Sequence, residues 1–156
     1  MASGGAHPGS IIIHSTSSNN VEYRADNVFA YGVSDLCYLP NGSGLVACGW
    51  HNELEEDDDD YDSDDSYGIL KVFSPSLEFV QTLDGHESGV NCVTVSPSGS
   101  HIASGGSEGI LIIWSESVKV GEWAGRVQVL EDHTDEILAV CFSPDGKQLA
   151  TGSLDN

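Results

Sequence analysis

A histidine, a serine and an acid lie close enough together in this chain to suggest hydrolytic chemistry. His86, Ser104 and Glu108 fall in one segment, and Trp114 follows. In a catalytic triad the histidine takes the proton of a serine nucleophile, and the acid orients the imidazole ring. Such catalysis also needs an oxyanion site and a substrate cleft, and the sequence contains no pattern that indicates either. Whether these residues form a catalytic site therefore depends on the strands and turns that position them.

The segment that contains them recurs along the chain. Residues 90–99 (VNCVTVSPSG) align without a gap with residues 137–146 (ILAVCFSPDG), so that apolar positions, Ser-Pro and Gly coincide. His86 then aligns with His133. Alternating apolar residues that end in a Ser-Pro-x-Gly turn, where x is any residue, favour strands packed on both faces. A looser copy starts at Val33, in which residues 47–49 fall on 103–105 and residues 68–73 on 109–114.

A repeat of this length, with a Gly-His start and a Trp finish, resembles the WD-repeat (WD40) family of β-propellers. The resemblance covers residues 33–156 in repeats. It implies an all-β fold of antiparallel four-stranded blades, in an incomplete or truncated member of the family. The strands amount to about three blade equivalents, which predicts an open arc rather than a ring.

The resemblance also sets the predicted domain boundaries. Residues 1–10 are expected to be a disordered tail, and the rest of the chain a partial WD40 propeller. Its parts are an outer hairpin of the closing blade at 11–24, a blade at 33–83 with an acidic insertion at 51–67, a blade at 85–130, and a half blade at 133–156.

In the family, a Trp, a Ser or Thr, a His and a turn Asp form a hydrogen-bonded tetrad that links the strands of one blade. The matching positions are His86, Ser104, Glu108 and Trp114 in one blade and His133, Thr151 and Asp155 in the next, while Cys48 and Phe73 stand there in the first blade. This structural role is favoured over catalysis because each buried polar group gains a partner. The resemblance thus implies a protein that is not an enzyme and needs no cofactor or metal.

Peptide ligands of the family usually meet the face formed by the loop after Gly-His and the turn before the tetrad acid. The corresponding residues, here called the rim, are Glu87, Ser88, Gly89, Ser107, Thr134, Asp135, Glu136 and Leu154. The rim carboxylates favour a segment that carries Lys or Arg. The alternative is that these residues form ordinary solvated turns and bind no partner.

The resemblance implies a non-catalytic protein–protein interaction scaffold or adaptor. The alternative is the substrate-recognition part of an enzyme complex, such as a ubiquitin ligase, with catalysis on a missing segment or another chain. An independent hydrolase ranks lowest.

Net charge limits the partners. With five Lys and Arg against 25 Asp and Glu, the net charge of −20 argues against direct nucleic-acid binding and favours basic proteins or peptides. The sequence lacks an apolar run of membrane-spanning length and a secretory leader, which predicts no membrane association and an intracellular chain, cytoplasmic or nuclear. The unpaired strand edges of an open arc predict that the isolated chain self-associates.

The insertion in the first blade is strongly acidic, with ten carboxylates between Glu53 and Asp65. It is predicted to be disordered, and it serves either as a solubilising surface or as a docking arm for a basic partner. An EF-hand calcium loop is excluded because the required Gly and terminal Glu are missing. Ser63 and Ser66 lie beside these acids as candidate targets of an acid-directed kinase.

The cysteines and Trp123 carry two further predictions. Cys37, Cys48, Cys92 and Cys141 have no CxxC spacing and lie in or beside strands, which predicts buried free thiols. Trp123 lies between Gly121 and Gly125. It is expected in a lengthened connection, where covering its own loop is favoured and contact with a partner is the alternative.

Overall fold

The computed structural model of the chain describes residues 8–52, 66–116 and 123–155. These residues form twelve strands in four antiparallel sheets, with one short 3-10 turn at Pro40–Gly42. The tail at 1–7, the acids of 53–65 with Ser63, and the segment 117–122 lie outside the described residues. The strands are β1 (Ile11–His14), β2 (Val21–Ala25), β3 (Val33–Tyr38), β4 (Leu45–Asn52), β5 (Ser66–Phe73), β6 (Phe79–Asp84), β7 (Val90–Val95), β8 (His101–Gly106), β9 (Leu111–Glu116), β10 (Trp123–Leu130), β11 (Ile137–Phe142) and β12 (Leu149–Ser153).

The sheet order confirms the predicted fold class. Strands β3 to β6 pair in chain order to form blade 1, and β7 to β10 do the same to form blade 2. Strands β1 and β2 form a hairpin, and β11 and β12 form a two-stranded half blade. Within the described ranges no sheet closes into a barrel. The architecture is therefore that of incomplete propeller blades.

Two-sided packing explains why these sequences form blades. Strand β4 is buried from Leu45 to Gly49 because blade 2 covers one face and the segment around Phe29 covers the other. A strand enclosed on both faces can carry such a continuous apolar run. The core between blades 1 and 2 combines Val46, Leu70 and Leu83 with Ile102, Ile112, Trp114 and Trp123. A smaller cluster, centred on Ile137, joins blade 2 to the half blade.

Blade 1 departs from the predicted boundaries of the acidic insertion. Strands β4 and β5 continue their ladder outward, so that His51 pairs with Tyr67 and Asn52 with Ser66. Residues 51, 52, 66 and 67, which the sequence analysis assigns to the insertion, thus belong to the sheet. A ladder of this length holds both ends of the acidic segment together.

Trp123 was predicted wrongly as a residue that covers its own loop. It is the first residue of β10, is 7% exposed, and packs in the core between blades 1 and 2. Its backbone pairs with the side chain of Gln81, whose Nε2 donates to Trp123 O at 3.0 Å and whose Oε1 accepts from Trp123 N at 2.9 Å. This amide clamp joins β6 to β10, which gives Trp123 a structural role.

The prediction of buried thiols is correct for two of the cysteines. Cys48 and Cys92 are buried, whereas Cys37 is half-buried and Cys141 exposed, and all are free. Burial raises the pKa of Cys92 to about 11, and it also raises the pKa of Cys48. Cys141 is exposed because, among the described residues, no further sheet packs against the outer face of the half blade.

Candidate functional site

The triad-like residues form a continuous hydrogen-bonded relay in blade 2. Nδ1 of His86 donates to Oε1 of Glu108 at 2.5 Å, and the Ser104 hydroxyl pairs with Nε2 at 2.7 Å. Nε1 of Trp114 donates to Ser104 Oγ at 2.9 Å. Because a carboxylate only accepts, it sets the tautomer of His86, and the ring can then accept the serine proton. Each of the four side chains thereby has a partner.

Four successive elements bring the relay together. His86 precedes β7, Ser104 lies in β8, Glu108 in the turn after it, and Trp114 in β9. Ser104 is fully buried at 0% exposure, and His86 is 3% exposed. A nucleophile must reach a substrate carbonyl, and this hydroxyl is enclosed and already engaged by an indole. The arrangement therefore ties strands together and does not resemble a working acyl-transfer site.

The half blade contains a second relay with one fewer member. His133 lies 2.7 Å from Asp155 through Nδ1 and 2.7 Å from Thr151 through Nε2. The hydrogen bond from His133, with a second from the Thr134 amide, holds the pKa of Asp155 below its ordinary value. The side chains of His133 and Asp155 are both about a quarter exposed, so this relay is less protected than that of blade 2.

The described residues of blade 1 form no such relay, and the register of the strands shows why. Ser104 pairs with Val93 and Thr151 with Val140, and the equivalent pair in blade 1 is Ala47 with Leu36. The position of Ser104 is therefore taken by Ala47, and the assignment of Cys48 to it is wrong by one residue. Cys48 faces the core between blades 1 and 2. Phe73 does occupy the position of Trp114, because Leu45 pairs with Phe73 as Ile102 pairs with Trp114.

We expect His86→Ala to lower the free energy of unfolding by about 1–3 kcal/mol, because Glu108 loses its hydrogen-bond partner and the buried Ser104 hydroxyl loses its acceptor. Urea denaturation of the two proteins measures the difference. His101→Ala is the matched control: His101 is exposed, and its side chain bonds Ser100. Its effect should stay within about 0.5 kcal/mol. Equal effects of the two substitutions would contradict a structural role for the relay.

The rim residues lie together at one end of the blades. Glu87, Thr134 and Asp135 are exposed, Leu154 is 55% exposed, and Ser88, Ser107 and Glu136 are half-buried. Gly89 is buried beneath them. Acidic and polar groups therefore dominate the accessible part of this surface.

Asn91, which the sequence analysis did not single out, joins the rim across two sheets. Ser107 N donates to Gly89 O at 2.8 Å, and Ser107 Oγ donates to Asn91 Oδ1 at 3.2 Å. Asn91 Nδ2 in turn donates to Glu136 Oε2 at 3.3 Å. The rim segments of blade 2 and the half blade are thus held in one fixed arrangement. The polar residue at the second position of an otherwise apolar strand was the available signal.

Trp50 is a second rim residue that the sequence analysis missed. Gly49, Gly106 and Ser153 occupy the same register, since each pairs with the first residue of its inner strand. The residues that follow them are Trp50, Ser107 and Leu154. Trp50 is therefore the blade 1 counterpart of two rim residues. The one-residue misalignment of β4 concealed this equivalence.

Two negative findings concern the described ranges. No group of three or more His, Cys, Asp or Glu is arranged there to hold a metal ion. No helix there reaches the length and hydropathy needed to cross a membrane.

Comparison with known proteins identifies the repeats. The WD40 family profile, described as WD domain, G-beta repeat, matches residues 77–115 and 125–156. These segments contain the two relays and the strands β6 to β12, apart from the last residue of β9 and the first two residues of β10. Residues 77–115 and 125–156 are therefore WD repeats, as the sequence pattern indicated.

Curated relatives match about half of the chain. They include a probable cytosolic iron-sulfur protein assembly protein 1 of Sclerotinia sclerotiorum, 37% identical over 83 residues, which are 51% of this chain and 18% of the relative. A component of chromatin assembly factor 1 from Gallus gallus is 29% identical over 96 residues, 51% of this chain and 17% of the relative. WD repeat-containing protein 1 of Xenopus tropicalis is 37% identical over 81 residues, 52% of this chain and 13% of the relative. The matched region spans less than a fifth of each relative.

Proposed function

We propose that this protein is a non-catalytic interaction scaffold whose rim binds a basic segment of a partner protein. The burial of Ser104 at 0% exposure supports the first half of the proposal, because the Ser-His-Glu set of blade 2 is closed to substrate. The exposed carboxylates of Glu87 and Asp135 support the second half. Complementary charge steers and orients a partner more than it adds affinity.

The relatives support a role in assembly. Their names refer to iron-sulfur protein assembly, chromatin assembly and, for a ribosome biogenesis protein of Chlamydomonas reinhardtii, ribosome biogenesis. By analogy we place this chain inside the cell, in the cytoplasm or nucleus, with a protein rather than nucleic acid as its direct partner. The net charge of −20 supports the same choice.

Binding of a defined basic peptide tests the proposal. The chain should bind a short peptide of glycine-spaced arginines in a salt-sensitive manner, measured by fluorescence anisotropy of the labelled peptide. The double variant Asp135→Asn, Glu136→Gln removes two charges and keeps the oxygens that accept from Glu136 N and Asn91. We expect it to bind about five- to tenfold more weakly.

Glu78→Gln is the control for this experiment. Glu78 is an exposed carboxylate in the turn between β5 and β6, at the opposite end of blade 1 from the rim. It should leave the affinity unchanged. The proposal would be overturned if the wild-type chain did not bind the peptide. It would also be overturned if the double variant bound the peptide with the same affinity as the Glu78→Gln variant.

The acidic segment 53–65 is expected to strengthen capture of basic proteins without contributing to the fold. Asn52 and Ser66 face one another across the ladder, so a two-residue Asn-Gly turn can replace the segment. The deletion variant should melt within a few degrees of wild type and lose part of its salt-sensitive peptide affinity. A variant that unfolds would show instead that the segment stabilises blade 1.

A further inference from the structure

Trp50 differs from its counterparts on the rim in size and chemistry. Blade 2 has Ser107 and the half blade has Leu154 at the equivalent register, whereas blade 1 presents an indole. Trp50 is partly exposed, while Trp114 is 1% and Trp123 7% exposed. Trp50 is therefore the tryptophan of this set that a partner can reach.

Two glycines fit the indole against the rim of blade 2. A Cβ atom at Gly89 would overlap Cε2 of Trp50, so any side chain there would displace the ring. Gly68, which pairs with Trp50 across the ladder, lies equally close to the rim, because a Cβ there would overlap Ser88 O. The indole is thus seated on the segment that follows Glu87.

The position of Glu87 relative to the indole follows from chain geometry. Two virtual Cα–Cα bonds separate Glu87 from Gly89, so their Cα atoms are at most about 7.6 Å apart. Among the described residues, Glu87 forms no ion pair. Arg126 is a nearby cation, but its guanidinium donates to the backbone carbonyl of Gly85 at 3.3 Å and does not pair with Glu87. Glu87, which has no ion pair among the described residues, is therefore exposed two residues from the glycine on which the indole lies.

We propose that Trp50 and Glu87 form a subsite for an arginine side chain of the basic partner. The subsite rests on the proposed scaffold function and assigns one residue type within it. A planar guanidinium can stack on an indole and direct its N–H groups to a carboxylate at the same time. The ammonium group of lysine has neither a planar face to stack on the ring nor a pair of parallel N–H donors, so arginine is preferred over lysine at this position.

Acrylamide quenching of tryptophan fluorescence reports directly on this residue, because the other two tryptophans are buried. Binding of the glycine-spaced arginine peptide to the whole chain should protect Trp50 from acrylamide. The same peptide with lysine in place of arginine should bind about threefold more weakly. Trp50→Leu should lower affinity for the arginine peptide about fivefold, and Trp50→Phe less, since it keeps an aromatic face.

Substitutions of exposed residues can test the subsite without affecting folding, and they can distinguish its failure from failure of the scaffold proposal. Glu87→Gln changes an exposed side chain and should weaken arginine-peptide binding about threefold, whereas Glu78→Gln should have no effect. If Trp50→Leu and Glu87→Gln both bind as wild type does, the subsite is wrong and binding elsewhere on the rim still stands. If the wild-type chain binds neither peptide, the scaffold proposal fails with it.

Discussion

Replacing Trp114 by alanine is expected to lower the free energy of unfolding by about 3–5 kcal/mol. The side chain is 1% exposed and packs in the core between blades 1 and 2. Its removal opens a cavity at the interface of two sheets and leaves Ser104 Oγ without the indole donor. Urea denaturation followed by far-ultraviolet circular dichroism measures the change.

Trp114→Phe separates packing from hydrogen bonding at the same position. Phenylalanine retains much of the ring volume and lacks the N–H donor, so a smaller loss of about 1–2 kcal/mol is expected. Phe73 already occupies the equivalent site in blade 1, where Ala47 requires no donor. A loss below about 1 kcal/mol for Trp114→Ala would contradict the assignment of Trp114 to a tightly packed interface.

The isolated 156-residue chain is expected to self-associate in solution despite its net charge of −20. Several large apolar side chains are exposed on the outer strands and the half blade, among them Phe79 at 60%, Val127 at 59% and Leu138 at 50%. Among the described residues, β12 pairs only with β11, which leaves one edge of the half blade open. Open edges and apolar faces together favour strand addition or aggregation.

Sedimentation velocity over a range of protein concentrations tests this expectation. The weight-average sedimentation coefficient should rise with concentration. Leu138→Lys places a charge on the uncovered face of the half blade and should shift the chain toward monomer. Thr82→Lys, at an exposed polar position on β6, is the matched control and should not. A compact monomer with a single sharp melting transition would show that the terminal sheets cover one another.

The sequence was sufficient for the parts of the fold that repeat. Two gap-free copies set the register of β7 and β11. The His, the Ser or Thr, and the acid could be placed because each of these two repeats supplies them at the same spacing. The looser copy in blade 1 has no serine to anchor it. Its alignment was therefore wrong by one residue at Cys48, and Trp50 was overlooked.

Contacts between blades were not predictable from one repeat at a time. Trp123 looked like a loop residue because glycines lie on both sides of it, yet β6 of the preceding blade supplies Gln81 as its partner. Cys141 sits in a strand pattern like that of Cys92, but its exposure depends on whether another sheet covers that face. The local sequence pattern is enough to predict that a residue lies in a strand. Whether its side chain is buried depends on the sheet that packs beside it.

The clamp between Gln81 and Trp123 also shows that the unit of sequence and the unit of structure are out of phase. The matched segment 77–115 takes its first strand from blade 1 and the next three from blade 2, and the segment 125–156 is offset in the same way. Each repeat therefore works as a link that straddles two sheets. Loss of one such unit would place β10 directly after β5, in the position that β6 holds, and duplication would place a second β6 after β9, in the position that β10 holds. In both cases the number of blades changes by one and no sheet is left incomplete.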